Sequence, residues 1–155
     1  MNDQAKEEKY VLLEAELRTL ISREDALVSS MSNFTAAVQS HFSFLWVGFY
    51  LVEGNELILG PFQGTVACTK IAFNSGVCGK AWSLKKTLIV HDVHQFPGHI
   101  ACSSDSNSEI VIPLIDKMGE VIAVLDIDSI SYNSFDSTDQ LWLEKIIKWF
   151  VSEVY

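Results

Sequence analysis

All three cysteines and three of the four histidines of the chain fall between Gly60 and Glu109. Thiols are the softest nucleophiles among side chains, and a thiol becomes reactive where its surroundings favour the thiolate. Cys102 ends the segment Phe96-Pro97-Gly98-His99-Ile100-Ala101-Cys102, which its Pro and Gly mark as a loop. Cys78 lies in Gly76-Val77-Cys78-Gly79, at a predicted helix start where unpaired backbone amides would lower a thiol pKa. Cys68 follows Gly64-Thr65-Val66-Ala67, a stretch of small residues that allows its sulfur to approach another. A lone cysteine is most often a small buried hydrophobe, but three in one loop-rich segment point to a redox pair. A zinc site using the cysteines with His91, His94 or His99 is the competitor. Gaps of ten and twenty-four residues between successive cysteines lack the close ligand pairs of structural zinc sites, so no metal is expected. A cysteine hydrolase pairing Cys102 with His99 is disfavoured, because residues three apart on a loop seldom align base and nucleophile and no orienting acid is evident.

Carboxylates supply the second half of the chemistry. Asp126 and Asp128 end the apolar run Val121-Ile122-Ala123-Val124-Leu125, and their spacing of two puts them on one face of a strand. Glu109 starts the partner strand, so the three acids can meet. Solvent-facing acids are the ordinary case, yet a carboxyl at the end of a core strand must be paired, hydrogen-bonded or protonated. Such groups bind a ligand ammonium or donate a proton. Trp46 and Tyr50 share a face of an earlier strand, where they either pack in the core or wall an apolar pocket opposite the acids.

These residues need elements to hold them. Tyr10, Leu13, Leu17 and Leu20 recur at helical spacing within a predicted helix over 6–21. Ser22 and Asp25 resemble a capping box that restarts a helix running to about Ser40. The period then changes to two from Leu45 to Val52, with apolar residues on both faces, and Glu53-Gly54-Asn55 turns the chain into a strand over 56–59. Short strands are predicted at 70–73 and 88–90, a short helix at 77–84, and a second hairpin from 109–115 and 121–127. A closing helix begins near Asp136, with Asp139 in its first turn. The order predicts an α+β fold with a mostly antiparallel sheet. Residues 1–155 read as one domain, with terminal helices over 1–41 and the sheet, site loops and closing helix over 42–155.

The 48% hydrophobic composition is that of a globular chain, and a net charge of −9 leaves no electrostatic footprint for nucleic acid or an anionic membrane. The longest apolar run is far short of the roughly 20 residues of a membrane helix. A charged N-terminus without an apolar signal segment predicts a cytoplasmic protein, in which the cysteines stay reduced unless a disulfide forms transiently in catalysis.

Taken together, the chain resembles the free methionine-(R)-sulfoxide reductases, small enzymes built on a GAF domain. The resemblance runs from Trp46 to the final helix. It rests on Trp46-Val47-Gly48-Phe49-Tyr50, Leu59-Gly60-Pro61-Phe62-Gln63-Gly64, Ala67-Cys68, Gly76-Val77-Cys78-Gly79, the Phe96 to Cys102 segment, Ser106-Asn107-Ser108-Glu109-Ile110-Val111 and Leu125-Asp126-Ile127-Asp128-Ser129. It implies a GAF-like fold with the terminal helices on one sheet face and a loop-rich site on the other. It also implies Cys102 as nucleophile, Cys68 as the thiol that resolves the intermediate as a disulfide, and Cys78 as an auxiliary thiol. Trp46 would pack on the substrate methyl group, while Glu109, Asp126 and Asp128 hold its polar end and the sulfoxide. No bound cofactor is implied; the partners are free methionine (R)-sulfoxide and an external dithiol such as the thioredoxin/NADPH system. Ser103, Trp82 and Ile130 depart from the pattern, which bears on pocket shape. A non-catalytic GAF-type sensor is the alternative, and the amphipathic first helix suits a homodimer.

Overall fold

The computed structural model of the chain describes residues 1–100 and 102–155; Ala101, within the Pro-Gly-His motif, lies outside the described residues. Helix α1 spans Asp3–Leu20, and the Asn2 side chain accepts from the Ala5 amide to cap it. Tyr10, Leu13 and Leu17 are buried as their spacing predicts. Leu20 instead stays 43% exposed, because the helix stops there and Ile21 turns inward in its place.

Ser22 does not cap a helix. Its hydroxyl accepts from Glu24 N–H at 3.2 Å and its carbonyl from Asp25 N–H, forming a turn that competes with helical continuation. Helix α2, Leu27–Phe42, therefore begins after Ala26 and ends at Ser43 in the left-handed region.

Six strands follow: β1 Trp46–Glu53, β2 Glu56–Gln63, β3 Lys70–Ala72, β4 Leu88–Val90, β5 Ser108–Ile115 and β6 Val121–Ser129. Helix α3, Gly76–Leu84, lies between β3 and β4, and α4, Ser137–Val154, closes the fold. The sheet order is β3-β2-β1-β6-β5-β4, with every pair antiparallel. Gly54, at φ +62°, makes the tight turn that sets Glu53 against Glu56. Strand β2 runs past its predicted end at Leu59 to Gln63, because the whole length of β1 is available to pair with it.

The doubly apolar pattern of β1 reflects two separate cores. Val47 and Phe49 join Ile110, Ile112, Leu125 and Ile127 under α1, α2 and α4. Phe34 meets Phe49 and Phe150 edge-on with ring centres 5.3 and 5.0 Å apart, and burying each such ring stabilises the fold by about 2 kcal/mol. On the opposite face Trp46 and Tyr50 join Val111 and Val124 beneath Val77, Cys78 and Ala81 of α3.

The α4 start is a capping box of Asp136 and Asp139. Lys6 reaches both carboxylates, at 2.7 and 2.6 Å, and Tyr10 donates to Asp139 at 2.7 Å, so α1 is fastened to the head of α4. Among the described residues no helix is long and apolar enough to cross a membrane.

Candidate active site

Register builds the site. Trp46 of β1 stands opposite Asp128 of β6, and Gly48 opposite Asp126; on the other side of β6, Glu109 stands opposite Asp128 and Val111 opposite Asp126. Because alternate strand residues share a face, the three acids and two aromatics all project toward α3. They line one cleft with Cys78, His99, Ser106 and Cys102. Gly48, opposite Asp126, lets the Trp46 ring lie against β1: a Cβ there would collide with that ring and lie 2.5 Å from Phe62 Cβ.

Cys68 and Cys102 are joined as a disulfide, with Cα atoms 5.5 Å apart. Of the three possible pairings in the predicted redox segment, this one leaves Cys78 as a free, buried thiol. The expectation of a lowered Cys78 pKa is overturned. Burial pushes the thiol well up and the nearby Asp126, Glu109 and Asp128 add to it, outweighing the α3 amides.

The aromatic pair does more than wall the cleft. Trp46 Nε1–H donates to the Thr65 carbonyl at 3.1 Å and Tyr50 O–H to the Cys68 carbonyl at 2.9 Å, so β1 holds the segment that carries Cys68. Gly64, at φ +134°, lets that segment close on Trp46, where a Cβ would lie 2.6 Å from the ring.

Glu109 is 5% and Asp126 7% exposed. Burial raises both pKa values well above the ordinary carboxyl range, and the neighbouring acids raise them further. Burial also raises Asp128, to about 6, against the opposing influence of the 2.6 Å hydrogen bond from Ser106 and of His99. Asp126 Oδ1 is buried with no hydrogen-bond partner. His99 Nε2 lies 3.4 Å from Glu109 Oε2, and burial lowers its pKa although Asp128 opposes this. His99 thus faces Glu109, an acid its sequence neighbourhood did not show, while the Cys102 sulfur is bonded to Cys68 and not paired with that imidazole as a cysteine hydrolase would require. The cleft therefore combines a dithiol/disulfide couple with carboxyls whose pKa values burial has raised above the ordinary range.

Residues 24–147 match the GAF domain family. The chain is 53% identical over 145 residues to GAF domain-containing protein A of Dictyostelium discoideum, covering 93% of this chain and 91% of that protein. It is 40% identical over 143 residues to the free methionine-R-sulfoxide reductase of Escherichia coli (strain K12), covering 92% and 86%. The chain belongs to the free methionine-R-sulfoxide reductase family of GAF domains. The X-ray structure of free methionine-R-sulfoxide reductase from Neisseria meningitidis in complex with its substrate superposes with a TM-score of 0.88 at 41% identity, over 99% of this chain and 91% of that one.

For a free methionine-R-sulfoxide reductase, three features of the cleft are visible in the fold and not in the spacing of residues. Ser106 bonds Asp128 across twenty-two residues of chain, Gly48 opposite Asp126 admits the Trp46 ring against β1, and His99 sits on Glu109. Register exposes the first two; the third depends on how the loop after Pro97 folds back, with Ile100 closing on Gly76 so tightly that a Cβ there would lie 3.0 Å from it. The departures noted above fall outside the acids and thiols. Trp82 packs edge-on against Phe73 with ring centres 4.7 Å apart, and Ile130 is 62% exposed.

Proposed function

We propose that this reductase converts free L-methionine (R)-sulfoxide to L-methionine, with Cys102 as nucleophile and Cys68 as resolving thiol. The observation that carries this reading is the Cys68–Cys102 disulfide bordering a cleft floored by three crowded carboxyls. A sulfoxide oxygen leaves sulfur only if protonated as a thiolate attacks, so a nucleophilic thiol and a raised-pKa acid must act together. Glu109 and Asp126, protonated near neutral pH, are the donors the cleft offers. Cys102 takes the oxygen as a sulfenic acid and methionine is released. The Cys68 thiol then attacks the sulfenic sulfur, forming the S–S bond and expelling the oxygen as water. An external dithiol, of the thioredoxin type in a reducing cytoplasm, is oxidised to its own disulfide as it restores both thiols. No bound cofactor enters these steps.

Substrate selection follows from the same acids. The partly buried Asp128, the most readily ionised of the three acids, is the acceptor for an α-ammonium, which a methionine inside a peptide lacks. Trp46 and Tyr50 supply the apolar wall for the thioether and its methyl group. Cys78 is auxiliary, a neutral thiol beside Asp126 rather than an attacking one.

The test is incubation of purified protein with dithiothreitol and racemic methionine sulfoxide, with Cys102→Ser alongside. Methionine that accumulates, stops near half conversion and vanishes in the variant supports the reading. No methionine from folded, reduced protein refutes it in favour of a ligand sensor, and turnover that survives Cys102→Ser removes the assigned nucleophile.

A further inference from the structure

We propose that Cys78, Glu109 and Asp126 form a site for one thiophilic divalent cation of the zinc class. One donor atom from each lies within 4.8 Å of the other two, and all three residues are buried. The zinc alternative considered from the sequence used three cysteines with a histidine; this set uses one cysteine and two acids, and the disulfide has removed Cys68 and Cys102 from it. A single Zn²⁺ bound at about 2.3 Å to sulfur and about 2.1 Å to oxygen holds its ligands roughly 3.5 Å apart, so the three donors need close by only about 1 Å. The independent sign of a missing ligand is Asp126 Oδ1, on a residue 93% removed from solvent by its 7% exposure and without any hydrogen-bond partner.

His99 Nε2 lies 3.4 Å from Glu109 Oε2 but outside the three-donor group, so a water completes the four-coordinate shell. The donor types select the ion. A thiolate beside two carboxylates suits zinc, cobalt or cadmium and discriminates against magnesium and calcium, which prefer an all-oxygen shell. Binding displaces the thiol proton and the protons held by the two acids, all released to solvent, and the cation's charge then offsets the repulsion between the two carboxylates. An occupied site would deny Glu109 and Asp126 to the substrate, a consequence that rests on the proposed reductase reading, whereas metal binding itself does not.

The oxidised protein isolates the site, since Cys78 is then the free thiol among the described residues and no chelating reductant is required. We would titrate it with Co²⁺ and record the spectrum. The expected result is a thiolate-to-cobalt charge-transfer band with visible bands of a four-coordinate ion, saturating at one equivalent. The charge-transfer band should vanish in Cys78→Ala, and Asp126→Asn and Glu109→Gln should each weaken binding about ten-fold or more. No charge-transfer band in folded oxidised protein, or a band that survives in Cys78→Ala, overturns the site. If Cys78→Ala does not fold, unchanged affinity in both acid variants overturns it equally. The titration contains no sulfoxide, so it fails or succeeds independently of the turnover assay.

Discussion

Reduction of the Cys68–Cys102 bond should cost the fold a measurable part of its stability. The disulfide closes a loop with a sequence separation of 34. The chain-entropy relation then gives about 4 kcal/mol at 25 °C for the conformational freedom the bond removes from the unfolded chain. For a chain of this length each kcal/mol moves Tm by about 2–4 °C, so the oxidised protein should melt about 8–16 °C above the reduced one. Calorimetry with and without dithiothreitol, with thiol counts on each sample, measures this. Cys68→Ser should melt like the reduced wild type and ignore the reductant. Equal melting of verified oxidised and reduced wild type would refute the loop-closure reasoning. A Cys68→Ser protein that keeps the full reductant-dependent shift would place the constraining bond on Cys78 instead.

Three other outcomes follow from the packing. Asp128 has a folded pKa of about 6 against an ordinary value of 3.8, so the folded state holds the extra proton between them and stability falls as pH rises through that window. Asp128→Asn should therefore gain stability over wild type by about 3 kcal/mol at pH 7.5 but little at pH 3.5, read as the difference in Tm across the two buffers. Gly48→Ala should keep the fold while displacing the Trp46 ring. We expect it to lower kcat/KM about ten-fold or more while the circular dichroism spectrum stays unchanged, corresponding to about 1.4 kcal/mol of lost transition-state binding. Lys6→Met leaves Asp139, 1% exposed, with Tyr10 and its own capping contact but without its counter-charge. That should cost about 3 kcal/mol, or about 6–12 °C in Tm, and Asp139→Asn in the same chain should recover part of it.

Element type was legible wherever side-chain period was strong. The two-residue alternation of β1, the apolar run of β6 ending in Asp126 and Asp128, and the closing helix begun near Asp136 correspond to the observed elements because local pattern and burial agree there. The Ser22 cap was misleading for a local reason: the same hydroxyl that caps a helix also closes a turn two residues on, and only the packing of Ile21 decides between them. The direction of the Cys78 shift was illegible for the opposite reason. It depends on three acids contributed by β5 and β6, which stand next to α3 only once the sheet has formed. Helix-end amides act over one turn, whereas burial beside those acids acts on the whole side chain, and burial wins.

The two cores divide the work of the molecule between the faces of one sheet. The face under α1, α2 and α4 is built of apolar residues such as Val47, Phe49, Ile110 and Leu125, and it carries the stability that the other face gives up. That other face keeps two nearly desolvated carboxyls and a third that holds its proton up to about pH 6, an arrangement that costs folding free energy at neutral pH. Alternation makes the division possible, since a single strand such as β6 contributes Leu125 and Ile127 to one side and Asp126 and Asp128 to the other. A one-residue slip of β6 would exchange these sets, burying two acids among the helices and stripping the cleft of two of its carboxyls. The Trp46 ring packed over Gly48 and the Ser106 bond to Asp128 fit only the observed register, so the site itself helps to specify the pairing on which the apolar core depends.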